Sequence, residues 1–216
     1  KYNIPTTRAE ITDFTRLVQE IERRLGKAEM YCPEEGRLFT CKELEQGIDR
    51  FAQFSLKTLK DFCGNKEYQS YILSLAMWPY TLPEDKVAAW QTCTDLSDFE
   101  QTIHVLQCMD VYYAKPRLLQ KSTTEEIGAF YALTEDCESV FPVRGDGFLN
   151  LDGIKVAECF VQFVIHSEQR VLDGLFSYDR FMEELQQYGI QPFDGDHVLI
   201  PPMSKTQLEE LAAKLQ

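Results

Sequence analysis

The sequence lacks most of the devices by which a chain announces its chemistry. It has no Walker loop, no dinucleotide-binding glycine fingerprint, no kinase motif and no Gly-x-Ser-x-Gly elbow, which counts against a nucleotide-dependent enzyme. Its seven cysteines, at 32, 41, 63, 93, 108, 137 and 159, are odd in number and include no Cys-x-x-Cys pair. That argues against a disulfide framework and for buried free thiols in a reducing compartment, the cytoplasm. No apolar run approaches the roughly 20 residues that span a bilayer. There is no internal repeat and no low-complexity tract. The start at Lys1, without methionine, reads as that of a piece cut from a longer protein.

Positive charge is also scarce. With 22 basic residues against 35 acidic, the formal charge is -13. Nucleic-acid affinity comes largely from Lys and Arg neutralising phosphates, and anionic membranes repel the same sign, so neither is an expected partner. The natural partner of such a chain is another protein with a basic surface, and the bland reading is a set of solvated acidic helix faces.

What the chain does have is the composition of a globular protein, 44% hydrophobic and 12% aromatic in 216 residues. A domain of that size buries roughly 70% of the surface its unfolded chain exposes, so no staple is needed. A capping box, in which a Ser or Thr accepts from the first amides of a helix and a Glu or Gln three residues on reaches back, recurs six times. It reads at Thr7/Glu10, Thr40/Glu43, Thr81/Glu84, Ser97/Glu100, Thr123/Glu126 and Ser204/Gln207. After Thr7, Ile11, Phe14, Val18, Ile21 and Leu25 form one helical stripe; after Thr40, Leu44, Ile48, Phe51, Ser55, Leu59 and Phe62 form another. The spacing predicts further helices at 66–77, 83–93, 97–114 and 124–139, with a turn at Pro33–Gly36 between the first two long ones.

Past residue 140 the grammar changes. Pro142, Gly145 and Gly147 break the helical pattern, and the run from Gly153 to His166 is apolar almost all round, which reads as a buried helix. A helix capped by Ser177 with Phe181, Leu185 and Tyr188 inward comes next, then two short strands about Asp194–Asp196, then a helix from Ser204 with Leu208, Leu211 and Leu215 on one face. The fold class expected is therefore mainly α. It comprises a helical bundle over 1–139 and a smaller α+β part over 140–216 with one or two short hairpins, winged-helix-like in outline. The helix presented there carries Asp179, Glu183 and Glu184 against Arg180, so a winged shape would bind protein rather than DNA.

Few residues invite a chemical reading. The stretch from Arg144 to Gly153 looks like a calcium loop, with Asn150 and Asp152 at ligand positions when Gly153 is set at the invariant glycine. The ends fail, because Phe148 and Cys159 fall where the first carboxylate and the bidentate glutamate belong, so the stretch reads as a turn with Asp152 capping the next helix. Arg144-Gly145-Asp146 is the tripeptide that integrins read, at a length that recurs by chance. His104 and Cys108, at i and i+4, can present two ligands to zinc, with Cys93, Asp110 or His197 as others only if the fold brings them near; the bland reading is packing beside the apolar stripe. Asp194, Asp196 and His197 crowd one segment and could tune a base or hold a metal, although the same residues build turns. For a cysteine nucleophile, Cys63 at a helix end and Cys32 in a loop are the least core-like, with His197 and Asp196 as further candidates for such a site. No cofactor is called for.

These observations lead to an acidic intracellular protein–protein interaction module, an adaptor, inhibitor or regulatory fragment of a larger protein. The rival reading is a cysteine-dependent hydrolase or transferase of effector type with a sequence-distant Cys/His/acid site.

Overall fold

Three of the six capping boxes form as read, and each starts a helix that an apolar stripe then buries. The computed structural model describes residues 5–33, 35–120, 126–146 and 156–216. The chain divides into two compact units, Lys1–Met109 and Asp110–Gln216. The change of grammar near residue 140 thus lies inside the second unit.

In the first unit, α1 (Arg8–Leu25) begins at the Thr7/Glu10 box and ends at Gly26, whose φ of 78° is the left-handed cap that glycine adopts without a Cβ penalty. A hairpin of β1 (Glu29–Cys32) and β2 (Arg37–Thr40) leads into α2 (Cys41–Gly64), which opens on the Thr40/Glu43 box. Helices α1 and α2 pack on each other. Their stripe is inward at Ile11, Val18, Leu44, Ser55 and Leu59, but it runs out at the end of α1, where Leu25 is 77% exposed. Buried Ser55 ties the N-terminal segment to α2. Its hydroxyl accepts from the Thr6 amide at 2.7 Å and donates to the Thr6 carbonyl at 2.5 Å. A short hairpin of β3 (Ile72–Ser74) and β4 (Pro79–Thr81) precedes α3 (Glu84–Thr92) and α4 (Ser97–Gln107).

The second unit is built on sheets. Its strands are β5 (Tyr112–Tyr113), β6 (Arg117–Gln120), β7 (Ile127–Thr134), β8 (Ser139–Pro142), β9 (Val156–Ile165), β10 (Arg170–Val171) and β11 (Phe176–Ser177). Then come α5 (Tyr178–Leu185), the hairpin β12 (Gln191–Pro192) and β13 (His197–Ile200), and α6 (Lys205–Leu215) from the Ser204/Gln207 box. One sheet runs β10-β9-β7-β6 with β11 also on β9, and a second runs β12-β13-β8-β5. At the centre of the first, β7 and β9 are parallel. Ala129, Tyr131 and Leu133 of β7 and Val161, Phe163 and Ile165 of β9 bury one face against Phe181, Leu185, Leu208 and Leu211 of the two helices.

The mainly-α expectation is therefore overturned, because the described residues are 44% helix and 26% strand. Neither the helical bundle nor the winged-helix outline survives. Residues 66–77 hold β3 rather than a helix, and residues 124–139 hold β7 and the start of β8. The run read as a buried helix is strand β9 from Val156 onward. The errors at β7 and β9 share a physical reason, whereas β3 is a three-residue strand too short to show any period. In β7 and β9 the face turned away from this core still carries half-buried Phe130, Phe160 and Val164, so the sequence is apolar on both faces and the period of two is masked. The helix expected over 97–114 stops at Gln107, before β5. Capping at Thr81 and Ser97 also fails. Thr81 is buried in β4, and α4 is opened by Asp95, whose carboxylate accepts from the Ser97 amide at 2.8 Å. The Thr123 box and the Asp152 cap lie outside the described residues. Among the described residues no helix is long and apolar enough to cross a membrane.

Candidate functional site

The turn about Asp194–Asp196 forms where the sequence places it, and it carries the most organised polar group of the second unit. The amides of Phe193 and Asp194 donate to the His197 carbonyl at 3.0 and 3.4 Å, closing the turn at the start of β13. One carboxylate oxygen of Asp194 accepts from the Asp196 amide at 2.8 Å and from His197 Nδ1 at 2.6 Å. With Nδ1–H donating to the carboxylate, Nε2 accepts from the Tyr113 hydroxyl, 2.8 Å away. Tyr113 comes from β5, 84 residues earlier in the chain. His197 is 1% exposed, and its ring lies 5.2 Å from that of Tyr113.

The chain carboxylate, imidazole, hydroxyl has the hydrogen-bond order of a nucleophilic triad, with tyrosine in the nucleophile's place. Two features oppose that use. Burial, and then the charges of Asp194 and Asp196, push the Tyr113 hydroxyl above its ordinary range, whereas a nucleophile needs the opposite shift. The imidazole is also shut away from any substrate. What the arrangement does is bond β5 to the β12–β13 turn, with each buried polar group satisfied. Asp196 is exposed and hydrogen-bonds here through its backbone, by its amide and by a carbonyl that accepts from Val143 at 2.7 Å.

A second polar cluster lies beside β8. The hydroxyl of Tyr131 donates to the Gly145 carbonyl and that of Tyr178 to the Pro142 carbonyl, both at 2.6 Å, with the two rings 4.8 Å apart. A Cβ on Gly145 would stand 2.6 Å from Cys159 Cβ and 2.9 Å from Tyr178 Cγ, so no larger residue fits there. Burial raises the Cys159 thiol to about 11, with Asp146 and Asp179 adding to the effect. Arg144 and Asp146 are exposed on either side of buried Gly145. The calcium-loop residues Asn150 and Asp152 lie outside the described residues.

The remaining candidates stay apart. Cys63, buried at the end of α2, has its thiol raised to about 11, first by burial and then by Cys93. Burial raises Cys93 as well, and its thiol donates to the Trp90 carbonyl at 3.1 Å. Both shifts run against thiolate chemistry. Cys32 is half-buried in β1 opposite Arg37 rather than in a loop. His104 and Cys108 do meet, with Nδ1 3.8 Å from Sγ, both exposed at the end of α4. Among the described residues no group of three or more His, Cys, Asp or Glu is placed to hold a metal ion. Sequence reasoning missed Tyr113, Tyr131, Tyr178 and Gly145. Their partners lie 14 to 84 residues away, and no local pattern marks a side chain that will meet a distant carbonyl or ring.

Residues 1–211 match the model of a protein family described as a domain of unknown function, DUF4299, and the chain belongs to that family. No curated protein and no solved structure matches it.

Proposed function

We propose that this DUF4299 member is an acidic protein–protein interaction module, an adaptor, inhibitor or regulatory fragment, that docks on a basic protein surface. The observation that carries the reading is the charge of the second unit. From Asp110 to Gln216 there are 18 acidic residues against 9 basic, nine net negative, whereas the first unit has 17 against 13, four net negative. Asp173, Asp179, Glu183 and Glu210 of that unit are exposed, while its histidine with two ring partners is sealed in the core. A surface of one sign steers an oppositely charged partner and loses its hold as salt rises. The seven thiols fit a cytoplasmic setting.

The test is affinity capture on the immobilised protein at low and high salt, repeated with Asp179→Asn, Glu183→Gln and Glu210→Gln combined. The expected result is a specific basic partner that the combined variant releases at lower salt. Capture of no specific partner at either salt, or a partner indifferent to the neutralisation, would sink the reading. A second reading, a cysteine-dependent hydrolase or transferase, would draw on His104 beside Cys108, four residues apart, in place of the sequence-distant site expected with Cys63 or Cys32. Iodoacetamide labelling of Cys108 markedly faster than free thiol would favour it.

A further inference from the structure

Among the described residues β6 forms one edge of the five-stranded sheet, paired to β7 on one side only. All four of its residues are exposed, and Leu119 is 57% so. Successive side chains alternate between faces, so Leu118 and Leu119 project to opposite sides of the sheet. An open strand edge presents a row of backbone donors and acceptors to any extended chain, and proteins usually blunt it with charge, proline or cover. Among the described residues the other edges of this unit are two-residue strands, β5, β10, β11 and β12, the last ending on Pro192, while β6 itself follows Pro116. The β6 edge is longer and carries two exposed leucines.

Its charge is also unlike that of its surroundings. Exposed Lys115 and Arg117 lie at the start of β6, in a unit that is nine net negative. On the face that Arg117 shares, its partner across the ladder is Phe130, which stacks on Phe160 of β9 with centroids 5.4 Å apart. A strand added beside β6 would therefore meet Lys115 and Arg117 where β6 begins and then Leu118 and Leu119, one on each face, with Lys121 following β6 in the sequence.

We propose that β6 is a docking edge for an extended segment of another protein, carrying carboxylates at one end and neighbouring apolar side chains at the other. The backbone ladder supplies the attraction common to any extended chain. Lys115 and Arg117 set the sign of the segment, and Leu118 and Leu119 grip its apolar half. This edge is separate from the acidic surface invoked above, and its test uses a different probe, so either idea can fail alone.

The experiment is fluorescence polarisation with the intact protein and a labelled peptide of glutamates followed by valines, made in both sequence orders. In at least one order it should bind more tightly than the same peptide with lysines for glutamates. Methylating alternate backbone amides of the peptide should abolish binding, because the ladder is lost while side chains remain. Combined Lys115→Glu and Arg117→Glu, at exposed positions outside the core, should weaken binding roughly tenfold, the scale of two surface charge pairs. The proposal is overturned if the lysine peptide binds equally, or if the methylated peptide does. Sedimentation showing a dimer that Leu119→Lys separates would give the edge to a second copy and overturn it as well.

Discussion

Taken separately, the two units differ in which of their polar ties are local. In the first, the side chains that start α1 and α2 bond to backbone three residues away, at the Thr7/Glu10 and Thr40/Glu43 boxes. In the second, polar side chains bond across 14 to 84 residues, as Tyr131 does to Gly145 and Tyr113 to His197. Local ties can be read from spacing, because three residues on a helix are always neighbours. Distant ties exist only once the chain has folded. The first unit has distant ties as well, Ser55 with Thr6 across 49 residues, Met77 with Gln107 across 30 and the Arg8 amide with Glu100 across 92, and none of them shows in the local spacing.

Four perturbations probe this difference. The largest effect is expected from Phe163→Ala in β9, where a fully buried ring stacks 5.0 Å from Phe176; about 3–5 kcal/mol should be lost. Hydrogen exchange should show the amides of β7 and β9 losing protection. Retained protection there would mean that the sheet core is not the stabilising centre of its unit.

Next is Asp194→Ala, which leaves the buried His197 Nδ1 without its acceptor and should cost about 1–3 kcal/mol by urea titration. Asp194→Asn keeps an acceptor and should cost less. Equal losses would show that the carboxylate's charge, rather than the hydrogen bond, is what matters.

Smaller still is Thr40→Ala, a local tie, expected to cost about 1 kcal/mol and to be seen in the tryptophan fluorescence of the first unit, which holds both Trp78 and Trp90. An unchanged midpoint would make the box ornamental.

The smallest effect concerns pH. Glu43 is drawn down from 4.5 to about 2, first by the Thr40 amide and then by Arg37. A depressed carboxylate contributes stability that is present above its unfolded value and lost as pH falls through the folded one. The difference between the wild type and Glu43→Gln should therefore be full above 4.5 and fade towards 2. A difference that holds constant across that window would contradict the bond seen at the helix start.

Much of the first unit was legible. The helices α1, α2 and α3 lie close to their expected spans, because amphipathic stripes and caps are local facts. Leu25 marks a limit of that reading, since a stripe says which face is apolar and not how far its cover extends. In the second unit the spacing predicts α5, α6 and the β12–β13 hairpin but reads β7 and β9 as helices. An apolar run such as Val156–Ile165 can be buried equally well as either, and the choice depends on whether a partner strand lies beside it. Of the candidate site residues, His197 found its place beside an acid. That acid was Asp194 rather than Asp196, because the turn directs the first carboxylate inward and leaves the second exposed. The cysteines at 32 and 63 were chosen for standing outside the helical stripes, and the fold places one in a strand and buries the other.

The amino-acid sequence by itself determined the acidic balance, the three helix starts with working capping boxes and the turn at Asp194–Asp196, all set by composition or by atoms a few residues apart. Only the tertiary structure decided that β7 and β9 lie parallel at the centre of a sheet, and that Tyr113 closes on His197. The reason is range: backbone hydrogen bonding in a helix is satisfied within one segment, whereas a strand's bonds must be met by residues the chain brings back from far away.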